Sequence, residues 1–241
     1  MVLAAHQPHY FPWLGYFDKM ANSDIFIVLD EVQLEISSPM VRNLFLGTNK
    51  DKKYLSLSIN RKNYLQMKTN QIKLSEIENW QRRHRECLYN WYKKAKFFPE
   101  VWKEIQFIFY KEYRYLYDVD MDTIITLKKL LNIHTKLIMQ SELNYNKATK
   151  NNDLIIELCR LCAADTYLSG KGAMKYILPE KFKEHDIKLV FQQFECPIYE
   201  QVNHEQFTAN LSTLDLLFNC GIEESRKIFW RNITKSKEAL K

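Results

Sequence analysis

Ala4-Ala5-His6-Gln7-Pro8-His9-Tyr10-Phe11-Pro12-Trp13-Leu14-Gly15-Tyr16-Phe17 is the stretch from which the fold is read. It continues a short apolar run that starts at Val2. An apolar run broken by two prolines reads as a strand feeding a stiff loop. Leu14, Phe17, Lys19, Met20 and Ala21 then suit a helix, and Ile25-Phe26-Ile27-Val28-Leu29-Asp30 reads as a fully buried strand. Strand, loop, helix and parallel strand make a βαβ unit, and the first turn of such a unit is where α/β folds place their ligands.

Working outward, strands are predicted at about 2–5, 25–30, 54–59, 135–139, 166–169 and 188–192, and helices at about 14–22, 152–163 and 213–240. Residues 33–50, rich in Ser, Arg and Asn, read as a loop. Residues 75–131 read as helical, with Ser75 and Glu78 spaced as a capping box and Pro99 where a first helical turn tolerates it. One or two short helices are expected over 173–182. Ser212 with Asp215 looks like a helix start, and Gly221 like a C-cap. Helices alternating with short apolar runs predict an α/β fold: a mostly parallel, Rossmann-like sheet with a helical insertion at 75–131 and a helical C-terminal part. The whole of 1–241 is expected to form one domain.

The chain has 241 residues, 46% of them hydrophobic and 27% charged, and so can bury a substantial core. A net charge of +6 leans towards anionic partners such as phosphorylated sugars or nucleotides without requiring nucleic acid. No apolar run is long enough to span a membrane, and the N-terminus lacks the pattern of an export signal, which predicts a cytoplasmic protein. Five cysteines suit reduced thiols. Cys159 and Cys162 have C-x-x-C spacing, but they lie in a strong helical pattern with no second pair, so a buried helix face explains them without a metal.

Thirteen of the chain's 33 aromatics fall between Trp80 and Tyr117, interleaved with Arg82, Arg83, Arg85, Lys93, Lys94 and Lys96. Basic residues among aromatics can form a stacking platform for single strands. Here Trp91, Ala95, Phe98, Trp102, Ile105 and Phe109 recur at helical spacing, which favours packing on the sheet. Part of this surface also suits an oligomer interface, a homodimer being the simplest case.

Three segments could carry chemistry. His6 and His9 can contact phosphate or move a proton near neutral pH. Gln7, Tyr10, Trp13 and Tyr16 surround them, and Gly15 allows close approach at a helix N-terminus. Asp30 and Gln33 follow the second strand, where Asp30 could serve as a base, a magnesium ligand or a loop cap. Arg42 and Asn43 could grip a carboxylate or phosphate. Ser169-Gly170-Lys171-Gly172, with Tyr176 beyond, forms a glycine-loosened turn whose amides and Lys could hold phosphate, although its spacing is not that of a Walker A loop.

These segments resemble the WbqC-like family. The likeness rests on His6-Gln7-Pro8, Tyr10, Pro12 to Phe17, Asp24, Asp30, Val32-Gln33 and Arg42-Asn43. It continues in 167–170, Gly172, Tyr176, Tyr199, Gln201, Ser212, 215–219 and Gly221. Members carry Asn where this chain has His9, which directs the catalytic expectation to His6. The family's link to O-antigen and other surface-polysaccharide gene clusters implies a sugar or nucleotide-sugar substrate. The opening is also similar to nucleotidyltransferase-type α/β domains, a group that includes pantothenate synthetase, although Tyr16 stands where those have a second His. That likeness makes ATP and magnesium the cofactors to consider.

Two expectations follow. One is an enzyme that modifies a sugar intermediate of surface-polysaccharide assembly by amide-forming acyl or amino-acid transfer. In it, His6 and the Gly15 helix end would stabilise phosphate or an oxyanion, Asp30 would act as base or magnesium ligand, and Arg42 and the Ser169–Gly172 turn would hold the nucleotide or sugar phosphate. The other is a non-catalytic scaffold protein that docks through the aromatic, basic helices.

Overall fold

The computed structural model describes residues 1–35, 38–49, 51–202 and 206–239, the last six as backbone only. Its centre is a sheet of five parallel strands in the order β5-β2-β1-β6-β7. These are β1 (Val2–His6), β2 (Ile25–Val28), β5 (Lys136–Met139), β6 (Thr166–Ser169) and β7 (Lys188–Phe191). In chain order this is the 3-2-1-4-5 arrangement of a doubly wound fold, and the order reverses between β1 and β6. The α/β expectation and the opening βαβ unit both hold.

The sheet's two faces are covered by different helices, as alternation along β1 requires. Ala4 packs in the core shared by α1 (Leu14–Ala21), α2 (Trp80–Tyr92), α3 (Phe98–Ile105), α4 (Leu116–Leu130) and α7 (Thr213–Ala239). Leu3 and Ala5 pack in the other core, with α5 (Asn151–Leu161) and α6 (Pro179–Lys183). Cys159 is buried in that second core, and the cysteines are free thiols. Among the described residues no helix is long and apolar enough to cross a membrane.

Sequence reading and structure part at several places. Within the stretch read as a loop, Arg42–Leu46 is strand β3, paired antiparallel with β4 (Lys52–Ser56) in a separate hairpin. Leu44, Phe45 and Leu46 give it an apolar character that the flanking Ser and Asn residues mask. The predicted capping box does not form. Helix α2 starts at Trp80 behind the Asn79 side chain, which accepts from the Arg82 amide at 3.0 Å. Glu78 is bonded instead to Ser58 and Arg83. Gly221 does interrupt α7, at φ 78°, and the Phe97 ring, which would lie 2.7 Å from a Cβ there, adds a second reason for glycine, but the helix resumes beyond it. Residue 240, the last of the predicted helix, lies outside the described residues.

The aromatic middle is mostly spent on packing. Trp80, Tyr92 and Phe98 are buried, Tyr92 and Phe98 lie against Phe218 of α7, and Trp102 stacks on Phe109. Its basic residues Arg82, Arg83, Lys93, Lys94 and Lys96 are exposed, together with Tyr89, Phe107 and Tyr110.

What shapes the opening loop is a left-handed residue at Phe11, φ 39°, rare for an aromatic. Four bonds impose it. The Phe11 amide donates to Thr123 Oγ1 of α4 at 3.0 Å, and its carbonyl accepts from Asn43 Nδ2 at 2.7 Å and Ser212 Oγ at 2.9 Å. Asn43 also donates to the Tyr10 carbonyl at 3.1 Å. The β3 strand that sequence reading missed therefore holds the loop in place. Replacing Asn43 by Ala strips two buried carbonyls of a donor and is expected to cost about 1–3 kcal/mol in urea unfolding. Arg42→Ala, which loses a half-exposed stack on Tyr54, is expected to cost less than about 1 kcal/mol. Equal losses would show that Asn43 does not hold the loop.

Candidate functional site

His6, the last residue of β1, continues the face of Ala4 and so points towards α1. Its ring lies 5.2 Å from that of Tyr16, and His9 folds back to 4.5 Å from His6 and 5.1 Å from Tyr16. His6 stays half-buried, while His9 and Tyr16 are only 5% and 1% exposed. The His6 Nδ1 stands 3.2 Å from the Gln7 carbonyl. A carbonyl only accepts, so Nδ1 carries the hydrogen and Nε2 keeps its lone pair. Burial, then the charges of His9 and Lys19, hold the His6 pKa well below its ordinary value. Burial, then Lys19, push His9 down to about 3. Both imidazoles are neutral at neutral pH, and His6 offers an unprotonated base.

Two further ionisable groups close the cluster. Lys19, one turn beyond Tyr16 on α1, is 3% exposed, and its Nζ donates to the Ala5 carbonyl at 2.8 Å. No described carboxylate pairs with it. Burial lowers its pKa to about 7. Asp120 of α4 is fully buried and neither carboxylate oxygen has a partner, so burial holds its pKa well above the carboxylate range. Its proximity, after burial, raises the Tyr16 hydroxyl. Thr123 joins this turn of α4 to the loop: Oγ1 donates to the Asp120 carbonyl at 2.8 Å while accepting from Phe11.

His9 Nδ1, Tyr16 Oη and both Asp120 oxygens are thus buried without a partner. Each such group costs about 1–3 kcal/mol. His84 shows the contrasting case of a satisfied core histidine: Nδ1 accepts from Tyr10 Oη at 2.8 Å and Nε2 donates to the Ser56 carbonyl at 3.1 Å.

The Ser169–Gly172 turn leaves β6, the strand beside β1, at the same carboxyl edge. The β1–β6 pairing ends at Ala4 with Leu168, so His6 and the turn that starts at Ser169 both leave the sheet just beyond it. A Cβ at Gly170 or Gly172 would meet nothing within 4 Å, so that turn is open. Lys171 and Tyr176 are exposed, Tyr176 at 69%, while Ser169 is buried.

The other predicted residues have structural tasks. Gln7 supplies the carbonyl that orients His6. Tyr10 is interior and bonded to His84. Gly15 is required because the Trp13 indole would lie 2.3 Å from a Cβ there; this packing, rather than an approaching anion, explains the glycine. Asp30 accepts from the Ser141 amide at 2.9 Å, Ser141 Oγ at 2.6 Å and Asn70 Nδ2 at 3.2 Å, bonds that tie β2 to the end of β5 and account for Asp30 without chemistry. Gln33 is exposed and donates to the Leu65 carbonyl. Arg42 lies 4.3 Å over the Tyr54 ring, on the face of β3 opposite Asn43. His6, His9 and Tyr16 are therefore brought together, with the glycine turn on the next strand. Asp30, Gln33 and Arg42 are drawn into other contacts.

Two open grooves of about 530 and 620 Å³ lie at the amino ends of β7 and β5, lined by Lys188 and Leu189 and by Lys136 and Leu137 respectively. The histidine loop is singled out by its chemistry and its place in the sheet, not by cavity size.

Lys19 and Asp120 escaped sequence reading, yet both left a signal. Lys19 lies in an eight-residue helix buried throughout. Asp120 stands four residues from both Leu116 and Ile124, on the apolar face of α4.

The model of the WbqC-like protein family matches residues 7–227, which start directly after His6 and include the rest of the opening loop, α4 and the glycine turn. The chain belongs to the WbqC-like family. It is also similar to Rv1507c, an uncharacterized protein of Mycobacterium tuberculosis, at 27% identity over 223 residues, 92% of this chain and 94% of that one. No solved structure matches.

The raised Asp120 carboxyl gives a pH test of the cluster. The folded protein keeps that proton at pH values where the unfolded chain has released it, so this contribution to stability is full below the ordinary carboxylate pKa and is lost progressively as pH rises from there towards the raised one. Asp120→Asn has no such loss. Its melting temperature relative to the parent should rise by a few degrees between about pH 4 and about pH 8. A constant difference would mean that Asp120 ionises normally.

Proposed function

We propose that this WbqC-like protein is a cytoplasmic enzyme that forms an amide on an amino or acidic sugar intermediate of surface-polysaccharide assembly. His6 is its reactive base. The observation that carries the reading is a half-buried, neutral histidine at the strand-order reversal of a parallel sheet, backed by a polar cluster that packing alone does not explain.

Amide formation needs a group that takes a proton from the attacking amine as the nitrogen bonds to the acyl carbon, and returns it to the leaving group. His6 fits this task through Nε2, with Nδ1 held on the Gln7 carbonyl so that the ring keeps one tautomer and one orientation. Proton handling is assigned to His6 rather than Asp30, whose carboxylate already accepts three hydrogen bonds. Those same bonds make Asp30 a poor magnesium ligand, so no step is routed through a metal there. Tyr16 and His9 wall the ring. The open turn at Gly170–Gly172, with Lys171, would hold the phosphate of an activated donor or nucleotide-linked sugar through backbone amides and one cation.

The test pairs acyl-CoA, or an amino acid with ATP and magnesium, with nucleotide-linked amino sugars and uronic acids, and reads amide products by mass spectrometry. One pair is expected to react, and His6→Ala to lower the rate by about 100-fold or more while the protein remains folded. Full activity in that variant removes His6 from the chemistry. If no pair reacts and no compound raises the melting temperature, the scaffold reading takes its place.

A further inference from the structure

Lys19 is the group at this site that the reading above leaves without a task. Its Nζ is bonded to the carbonyl of Ala5, the residue before His6, and its side chain is sealed from solvent. The charged and titratable groups around it are His6 from β1, His9 from the loop and Tyr16 and Asp18 from α1. Asp120 of α4 stands behind Tyr16. Asp18 is buried and accepts from Asn22 Nδ2 at 3.0 Å. Burying an ammonium without a counter-charge is strongly unfavourable, and methionine would fill much the same space at no such cost. What lysine adds here is a positive charge that can be turned on beside His6.

We propose that His6, the accessible edge of the cluster it forms with the buried His9 and Lys19, receives an anionic group of the substrate, a phosphate or carboxylate, and that Lys19 behind it takes up one proton as the anion docks. This rests on His6 being the reactive group of the site. No substrate bond changes in the step: a neutral amine and a proton from solvent become an ammonium, and the anion supplies the missing counter-charge. Without the anion, burial and mutual repulsion favour the neutral forms of all three bases. Asp120 is held protonated by its own burial and so does not oppose the incoming charge. With its pKa near 7, Lys19 changes state under ordinary conditions. Being 3% exposed, it acts through the strand end and His6, as a positioning residue.

Calorimetric titration with inorganic pyrophosphate and, separately, with acetate distinguishes the two anion classes, and buffers of different ionisation heat count the protons. For the parent protein, uptake should approach about one proton per bound anion near pH 8 and vanish near pH 6, with affinity falling about tenfold per pH unit between about pH 7 and the bound-state pKa. Lys19→Met should bind the anion more weakly and take up none. It should also gain more melting temperature over the parent at about pH 6 than at about pH 9. The reason is that above about pH 7 the folded parent has released this proton while the unfolded chain still holds it, so the parent's stability rises with pH from there towards the ordinary lysine pKa. If the variant fails to fold, the parent pH series decides alone.

Binding without proton uptake overturns the proposal, as does uptake that persists in Lys19→Met, which would assign the proton to a histidine. Neither result touches the His6 reading, provided amide formation still depends on His6. Failure of both anions to bind removes the anion site alone. Loss of His6 dependence removes both.

Discussion

The peptide on either side of Phe11 is the constraint on which the site depends. After β1 the chain must reverse sharply, and it does so through an aromatic residue in a left-handed conformation of the kind normally left to glycine or asparagine. A strain of about 1–3 kcal/mol persists only where the surroundings over-determine it. Here they do: Thr123, Asn43 and Ser212 bond to Phe11, the Tyr10 amide donates to Pro39, and the Thr213 amide donates to Pro12. The partners come from three segments spread over most of the chain, around residues 39–43, 123 and 212–213. No local segment could hold the histidines in this arrangement, so the site exists only when the whole domain is folded.

Polar groups elsewhere in the molecule show what ordinary structural use looks like. Asp215 is fully buried yet accepts from Tyr92 at 2.8 Å, Tyr199 at 2.9 Å and Gln201 at 2.8 Å, joining α7 to α2 and to the 199–201 segment. Glu31 is gripped by Lys68, Lys147 and Tyr145, which outweigh its burial and take its pKa down to about 2. These acids are paired and pinned, and they serve as joints. The cluster around Tyr16 is built in the opposite way. Among the described residues its acid has no partner, its lysine has no acid, and one of its histidines has an unbonded nitrogen inside the protein. Were stability alone at stake, apolar side chains would serve better at each of these positions.

Much of the fold could be read in advance, because buried parallel strands appear as unbroken apolar runs and the loop after β1 is marked by its prolines. The hairpin β3–β4 was harder. Its first strand alternates in burial, and its polar residue, Asn43, faces the protein interior, so the pattern reads as a loop. Within the candidate site, the nearness of residues close in sequence, such as His6, His9 and Tyr16, was legible for the same reason the βαβ unit was. Asp120 was not, because its relation to Tyr16 is made by α4 docking on the loop through Thr123, a contact across more than a hundred residues. Asp30 could be read two ways from the sequence, because an acid at a strand's carboxyl end looks alike whether it meets substrate or ties down a neighbouring segment.

The residues that carry the family likeness divide along the same line. Asn43, Ser212, Asp215, Tyr199 and Gln201 are joints that bring the loop and its clamps together. His6, Tyr16 and the glycines of the β6 turn have no comparable joint to make. Strand alternation sets the candidate residues of β1 and of the β6 turn on opposite sides of one edge. His6 turns to the α1 and α4 wall, whereas Ser169, in step with Tyr167, turns to the α5 wall, leaving Gly170 as bare backbone between them. A substrate lying across that edge would meet closely packed rings at one end and freely approachable amides at the other. On the amide-forming reading, such a division suits a transfer reaction, in which the reacting centre must be shielded from water while the bulky, charged remainder of the donor stays outside.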